Sequence, residues 1–200
     1  MAIPYVSYDD LRKVADKFQA EYNLPRNVPI PIDNIAEFGF GIDIFPIAGL
    51  QRNFDVVAFL SNNLKQISVD DYVFKHRENR YRFSIAHELS HVVLHSDLYN
   101  AEFKTVAEWK QFQQDISEKD YARAEWQANN LAGLILVPEK ELKRAFNESL
   151  KRCADAEIDP YDDKGAGIEF ISTSIGREVF NVSSEVVRYR IRDDALMELS

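Results

Sequence analysis

The segment from His87 to His91 constrains the fold of this chain more than any other. It reads His-Glu-Leu-Ser-His, so two imidazoles stand four residues apart with a glutamate beside the first. On an α-helix, positions i and i+4 share one face, and both rings can then reach the same metal ion. Apolar residues recur around the motif at helical spacing, namely Phe83, Ala86, Leu89, Val93 and Leu94. The pattern predicts a helix from about Glu78 to about His95 that carries both imidazoles on one face.

The bulk composition indicates a folded protein and excludes some partners. Hydrophobic residues make up 46% and charged residues 28% of the 200-residue chain, as in ordinary globular domains. The formal net charge of -9 lacks the positive footprint of a general nucleic-acid binder and gives no attraction to anionic membranes. The single cysteine, Cys153, and an N-terminus without a signal-peptide pattern predict a soluble, cytoplasmic protein without disulfides.

The residues before the motif predict helices followed by a small sheet. Ser7 with Asp10 three residues later is typical of a helix start, and an apolar stripe continues to Tyr22. A short helix is predicted at 33–38. Strands are predicted at 40–45, 56–60 and 66–69, with a turn at 61–63. Because the middle run is apolar on both faces, we expect that strand to be packed on both of its sides. The short turn favours antiparallel pairing of the second and third strands, so we expect a mainly antiparallel sheet.

The residues after the motif predict further helices around 102–113, from Ser117 through Ile135, and at 139–152. The acidic, turn-rich stretch 155–167 is predicted to be a loop or linker. We therefore expect an α+β domain over 1–154, in which a three-stranded sheet packs on helices. The segment 168–200 is expected to form a small helical unit resembling a helix-turn-helix.

Two histidines do not complete a catalytic zinc site, which usually has three protein ligands. His95 shares a helix face with His87 and His91, but a helical turn advances about 5.4 Å, so a metal bridging the first two would lie too far from it. Glu125 forms a polar spot with Asn129 on a helix whose face is otherwise apolar, where an unpaired carboxylate would be costly. An exposed Glu125 paired with a nearby basic residue fits the spacing equally well. From the residues alone, the third ligand stays open.

Two blocks of sequence resemble the signature of the ImmA/IrrE metallopeptidases. The first, 80–95, reads RYRFSIAHELSHVVLH and is similar to R-x-R-F-[ST]-[IL]-A-H-E-[IL]-G-H-x-x-L-H. The second, 125–138, begins EWQANNLA and is similar to E-x-x-A-N-x-F-A followed by L-L-[MV]-P. With the strands before them, the blocks cover roughly the central half of the chain. Ser90 replaces the usual glycine and Leu131 the usual phenylalanine, and neither departure touches a ligand.

The resemblance implies a zincin-like fold in which the motif helix and the helix of Glu125 lie in the core. It implies one zinc ion per chain, held by His87, His91 and Glu125, with Glu88 as the general base. Several further residues are candidates to support the ligands or to stabilise an oxyanion: His95, Arg82, Tyr121 and Asn129, with Arg80 and Tyr99 also conceivable.

The function implied by the resemblance is that of a zinc endopeptidase with a narrow range of protein substrates. Members of the family are associated with cleaving helix-turn-helix repressors, so a repressor or an antitoxin is the expected substrate.

The alternative is a regulator that binds DNA or protein through the C-terminal helical unit, with a structural or inactive metal site. The stretch 180–192 reads like the turn and second helix of a helix-turn-helix and ends with Arg188, Arg190 and Arg192. However, 168–200 contains four arginines and six acidic residues, a net charge of -2. We therefore do not expect nucleic-acid contact.

Overall fold

A computed structural model describes residues 3–23, 27–97, 111, 117–162 and 165–197. In these residues, nine α-helices surround a three-stranded sheet. The first helix, α1 (Tyr8–Tyr22), begins as predicted, because the Ser7 side chain accepts a hydrogen bond from the Asp10 N–H. The short α2 (Ile32–Asn34) continues directly into a π-helical turn (Ile35–Gly39).

The sheet is mixed, and the prediction of a mainly antiparallel sheet is wrong. Its strands are β1 (Asp43–Ile47), β2 (Ala58–Leu60) and β3 (Gln66–Asp70), in the spatial order β1-β3-β2. The short turn pairs β2 and β3 in antiparallel fashion, as predicted, but β1 lies on the far side of β3 and runs parallel to it. Helix α3 (Leu50–Phe54) lies in the connection from β1 to β2, which allows β1 to reach that opposite edge. The central strand is therefore β3, and the apolar run at 56–60 supplies an edge strand.

Asp70 connects the sheet to the helices that follow. Its buried carboxylate accepts hydrogen bonds from the N–H groups of Tyr72, Val73 and Gln51, so it caps α4 (Asp71–His76) and holds the start of α3. Burial opposes ionisation of this carboxyl, but the three N–H donors outweigh it and lower its pKa. The end of β3 thereby fixes the start of α4, which directly precedes the motif helix.

The motif helix, α5, spans Glu78–His95, as the apolar spacing predicts. It packs against α6 (Glu118–Leu136), whose N-terminus is capped by Ser117 as predicted. Helix α7 (Glu139–Asp155) follows Pro138. The helix predicted around 102–113 lies almost entirely outside the described residues, and so does Tyr99.

The C-terminal helices pack into the same hydrophobic core as the helix pair α5 and α6. Helix α8 (Ala166–Ile175) continues into a π-helical turn (Gly176–Phe180), and α9 spans Ser184–Asp193. Their buried side chains join the cluster formed by the motif helix and the sheet: Ile171, Ile175, Phe180, Val187 and Ile191. None of the described helices combines the length and apolar character needed to cross a membrane.

Candidate metal centre

The two histidines of the motif and Glu125 converge on one point between α5 and α6. The Nε2 atoms of His87 and His91 lie 3.1 Å apart. The carboxylate oxygens of Glu125 lie 3.4 Å from Nε2 of His87 and 3.3 Å from Nε2 of His91. Ligands at 2.0–2.1 Å from a tetrahedral ion stand about 3.3 Å from one another. Within the described residues, the three side chains therefore form a group that fits a single divalent metal ion.

Local structure explains this convergence. His87 and His91 stand one turn apart on α5, and Glu125 faces them from the middle of α6. The side chain of His91 is 8% exposed, whereas those of His87 and Glu125 are 16% and 29% exposed. The group is therefore closed on the side of His91 and accessible on the side of His87 and Glu125.

The outer ring nitrogen of each histidine has a polar partner. His87 Nδ1 lies 3.1 Å from the side-chain oxygen of Asn129. His91 Nδ1 lies 3.0 Å from Nδ1 of His95, whose Nε2 in turn lies 2.8 Å from the side-chain oxygen of Gln127. His95 thus contacts a histidine of the group from behind, while Glu125 contacts both histidines from the front. Among the two candidates for the third ligand, the geometry favours Glu125.

Glu88 is buried beside this group. Burial raises its pKa to about 7, with the Glu125 charge acting in the same direction. The charge of His87 and a hydrogen bond from the N–H of Leu60 oppose the rise. A carboxyl with a pKa near neutrality can both accept and return a proton at physiological pH. The Leu60 contact was not predicted, because a backbone donor at the end of β2 leaves no mark in the sequence.

The charges of two of the three converging side chains suit metal binding directly. Burial lowers the pKa of His91 to about 4, so its imidazole is neutral at physiological pH. Burial opposes ionisation of Glu125, but its interactions with both histidines outweigh this and hold its pKa well below its usual range. Burial also disfavours a proton on His87, yet the hydrogen bond that the protonated ring donates to Glu125 and the charge of Glu88 prevail and raise its pKa.

Comparison with known proteins identifies the family. Residues 65–192, more than half of the chain, match the family described as the IrrE N-terminal-like domain, Peptidase_M78. The chain belongs to this family. The resemblance predicted from the two sequence blocks is thus confirmed, and the match spans the motif helix, α6 and most of the C-terminal helices.

One solved structure shares the fold. A Mycobacterium tuberculosis transcriptional regulator superposes with a TM-score of 0.57 at 19% sequence identity, covering 94% of this chain and 56% of that chain. This Peptidase_M78 member therefore spans about half the length of that protein, and at this identity the likeness concerns the fold alone. No curated protein matches the sequence.

Both departures from the Peptidase_M78 signature are accommodated by packing. Ser90 is fully buried, and its hydroxyl donates to the Ala86 carbonyl at 2.7 Å, so the buried hydroxyl has a hydrogen-bond partner. Leu131 is fully buried in the hydrophobic core. Neither side chain belongs to the converging group of His87, His91 and Glu125.

Two other predicted site residues, Tyr121 and Arg82, have different surroundings. Tyr121 stands one turn before Glu125 on α6, and burial together with the charges of Glu125 and Glu88 raises the pKa of its phenol to about 12. The buried guanidinium of Arg82 donates to the carbonyls of Asn181 at 3.1 Å and Ile30 at 2.7 Å. Arg82 therefore ties α5 to the C-terminal helices, and its role toward an oxyanion stays a prediction.

A groove of about 760 Å³ opens beside the metal centre, between α5, α6 and α9. Its lining includes aromatic side chains and amides: Phe83, Trp126, Tyr189, Asn79, Asn129 and Asn130. Asn129 belongs to both places, because it lines the groove and contacts His87. The groove therefore adjoins the metal centre through Asn129.

Proposed function

We propose that this protein is a zincin-like, zinc-dependent endopeptidase that hydrolyses a peptide bond in a specific protein. The observation that carries the proposal is the convergence of His87, His91 and Glu125 on one point, with the Glu88 carboxyl beside them. Membership of a peptidase family supports the same reaction class.

The donor set suits zinc. Two imidazole nitrogens and one carboxylate are a common ligand set of hydrolytic zinc centres, and a fourth position is then left for water or substrate. A bound zinc ion supplies Lewis acidity, which lowers the pKa of a water molecule toward about 7 and polarises a peptide carbonyl. His87, His91 and Glu125 would hold one such ion per chain.

Glu88 is the proposed general base. With a pKa of about 7, its carboxylate accepts the proton of the attacking water and delivers it to the nitrogen of the leaving amine. The hydrogen bond from the Leu60 N–H holds the carboxylate in one orientation during both transfers. Burial keeps competing bulk water away from this group.

Tyr121 is the proposed donor to the developing oxyanion. Because the pKa of its phenol is about 12, it keeps its proton at physiological pH and can donate a hydrogen bond. Its position one turn before Glu125 on α6 and its charge coupling to both Glu88 and Glu125 support this assignment. Arg82 is the weaker candidate, since two of its nitrogens already serve backbone carbonyls.

Two surfaces support a protein as substrate. Strand β2 lies at an edge of the sheet, and its last residue, Leu60, touches Glu88, so an extended segment could add to that edge next to the general base. The groove offers aromatic side chains for apolar residues and amides for the peptide backbone. On the basis of the family resemblance, we propose that the protein cleaved is a helix-turn-helix repressor or an antitoxin.

The test is incubation of the zinc-loaded protein with the products of neighbouring repressor genes. We expect wild type to cut one of them, and Glu88→Gln to bind zinc but not to cut. Glu21→Gln, which changes an exposed glutamate on α1, is the matched control and should cut like wild type. Cleavage by Glu88→Gln at the wild-type rate would overturn the general-base assignment.

The alternative function is regulation through DNA or protein binding by the C-terminal helices. The similar solved structure is described as a transcriptional regulator, which favours this alternative. Arg188 pairs with Glu169, Arg190 with Asp194 and Arg192 with Asp193, so these three charges are balanced by carboxylates. Salt-dependent DNA binding that is lost in Arg188→Ala would favour the regulator.

A further inference from the structure

A chain of hydrogen bonds joins the N-terminal segment to His91. It passes from Nδ1 of His91 to Nδ1 of His95 at 3.0 Å, and from Nε2 of His95 to Oε1 of Gln127 at 2.8 Å. It ends where Nε2 of Gln127 donates to the Pro4 carbonyl at 2.8 Å. His91, His95 and Gln127 are 6%, 4% and 1% exposed, so water competes little for these bonds.

The direction of every bond follows from the Pro4 carbonyl. A carbonyl oxygen only accepts, so the amide nitrogen of Gln127 faces Pro4 and its oxygen faces His95. Nε2 of His95 must then carry a proton, which leaves Nδ1 of a neutral His95 to accept. Nδ1 of His91 must donate, and the neutral ring therefore has an unprotonated Nε2.

The state imposed on His91 is the one that a metal ligand needs. Its Nε2 atom is the one that faces Glu125 and His87. A histidine binds a metal through an unprotonated nitrogen, and the hydrogen bond of the other nitrogen selects which one that is. Both ends of the chain thus require the same proton arrangement.

The end of the hydrogen-bond chain at Pro4 is itself anchored. The Ile3 N–H donates to the Asp120 carboxylate at 3.1 Å, and the Arg123 guanidinium donates to the Ile3 carbonyl. Together with the Gln127 bond, these contacts hold the segment along α6. The Pro4 carbonyl is therefore a fixed acceptor for the chain.

We propose that the Pro4 carbonyl, acting through Gln127 and His95, sets the tautomer of His91 and so presents its Nε2 lone pair to the metal. His95 is then a positioning residue and not a ligand. The proposal rests on the proposed function only in taking the site to bind zinc.

The decisive pair of variants is His95→Leu and His95→Asn. Asparagine can present an oxygen near the position of Nδ1 of His95, whereas leucine has the same branched shape without a polar atom. We expect His95→Leu to weaken zinc binding about 10- to 100-fold, as is typical when the partner of a metal-binding histidine is lost. His95→Asn should recover most of that loss.

Zinc affinity is measured by competition with a chelator at about pH 8, where neutral imidazoles predominate. Thermal unfolding of the metal-free variants serves as the control for folding. Equal zinc affinity in the asparagine and leucine variants, at equal stability, would overturn the positioning role.

A second pair of variants distinguishes the hydrogen bond between Gln127 and His95 from the one between Gln127 and Pro4. Gln127→Glu can still accept from Nε2 of His95 but cannot donate to Pro4, so zinc affinity should persist while hydrogen exchange of the N-terminal segment accelerates. Gln127→Leu removes the acceptor as well, and zinc affinity should fall as in His95→Leu. Equal zinc affinity in these two variants would contradict the proposed direction of the chain.

Nitrogen chemical shifts of the metal-free wild-type protein report the tautomer of His91 directly. We expect the proton on Nδ1; a proton on Nε2 would overturn the proposal. These measurements need no substrate, so a protein that meets them and cuts nothing refutes the peptidase alone. A protein that cuts its substrate while His95→Leu binds zinc like wild type refutes the positioning role alone.

Discussion

The two histidines of the motif stand one turn apart on the same helix, yet their surroundings differ. His87 is partly exposed, and its Nδ1 contacts Asn129, an exposed amide that lines the groove. His91 is buried, and its Nδ1 contacts His95, which starts the chain toward the N-terminal segment. An exposed contact shares its partners with water, whereas a buried one does not.

This asymmetry indicates that the two sides of the proposed zinc site have different roles. On the buried side, the hydrogen-bond chain fixes the proton arrangement of His91 and ends at the anchored Pro4 carbonyl. The open side of His87 and Asn129 borders the groove that a protein substrate would enter. A spacing of four residues brings both imidazoles to one ion, but it does not make the two sides equivalent.

The largest effect is expected from the residue that both sides share. Glu125 contacts both imidazoles, so Glu125→Ala should lose stoichiometric zinc, a greater loss than the 10- to 100-fold typical for an outer partner. Zinc content after dialysis measures this. Glu118→Ala, at an exposed position of the same helix, is the matched control and should keep the ion. Stoichiometric zinc in Glu125→Ala would return His95 or another group to the ligand set.

Tyr121 and Asn129 stand one turn before and one turn after Glu125, and they should affect different quantities. Removing the phenol proton donor in Tyr121→Phe should lower kcat about 10²- to 10³-fold, the loss found when an oxyanion donor is removed. Zinc affinity should not change. Steady-state kinetics on the cleaved protein, with zinc titration beside it, measures both. A loss of zinc with kcat per bound ion unchanged would assign Tyr121 to the metal instead.

Local features of the sequence predicted the parts of the fold that depend on neighbouring residues. Ser7 and Ser117 start their helices, and the apolar spacing around the motif predicted the bounds of α5. The position of β1 was missed, because pairing across β3 depends on a distant connection and not on a turn.

The same reasoning explains which parts of the site were missed. The motif predicted His87 and His91, and the second block indicated Glu125 with Asn129. Gln127 and Pro4 are separated by 123 residues, and no spacing rule joins them. The only available signal was a glutamine between Ala124 and Ala128 on an apolar helix, where a buried amide needs a partner.

The two sides should also differ in their response to pH. Metal binding requires neutral imidazoles, so a proton on His87, whose pKa is raised, must leave when zinc binds. His91, with a pKa of about 4, has no proton to lose in the same range. Zinc affinity should therefore fall as pH falls, about tenfold per unit between about pH 6.5 and about pH 5.

This titration is best made in Glu88→Gln, since the carboxyl of Glu88, with a pKa of about 7, would add a second proton. Chelator competition at several pH values measures the slope. A slope of about two decades per pH unit would mean that both imidazoles take up protons together, and the distinction between the two sides would fail.

The smallest effect is expected on the open side. Asn129→Ala removes the partner of His87 Nδ1, but water can replace an exposed amide at little cost. Zinc affinity should therefore fall less than tenfold, below the loss expected for His95→Leu. Asn130→Ala, a neighbouring amide in the groove whose side chain donates to the Trp126 carbonyl, is the control and should leave zinc affinity unchanged. If Asn129→Ala instead weakens zinc binding as much as His95→Leu, the exposed contact positions its histidine as firmly as the buried chain does. Burial would then not be what distinguishes the two sides.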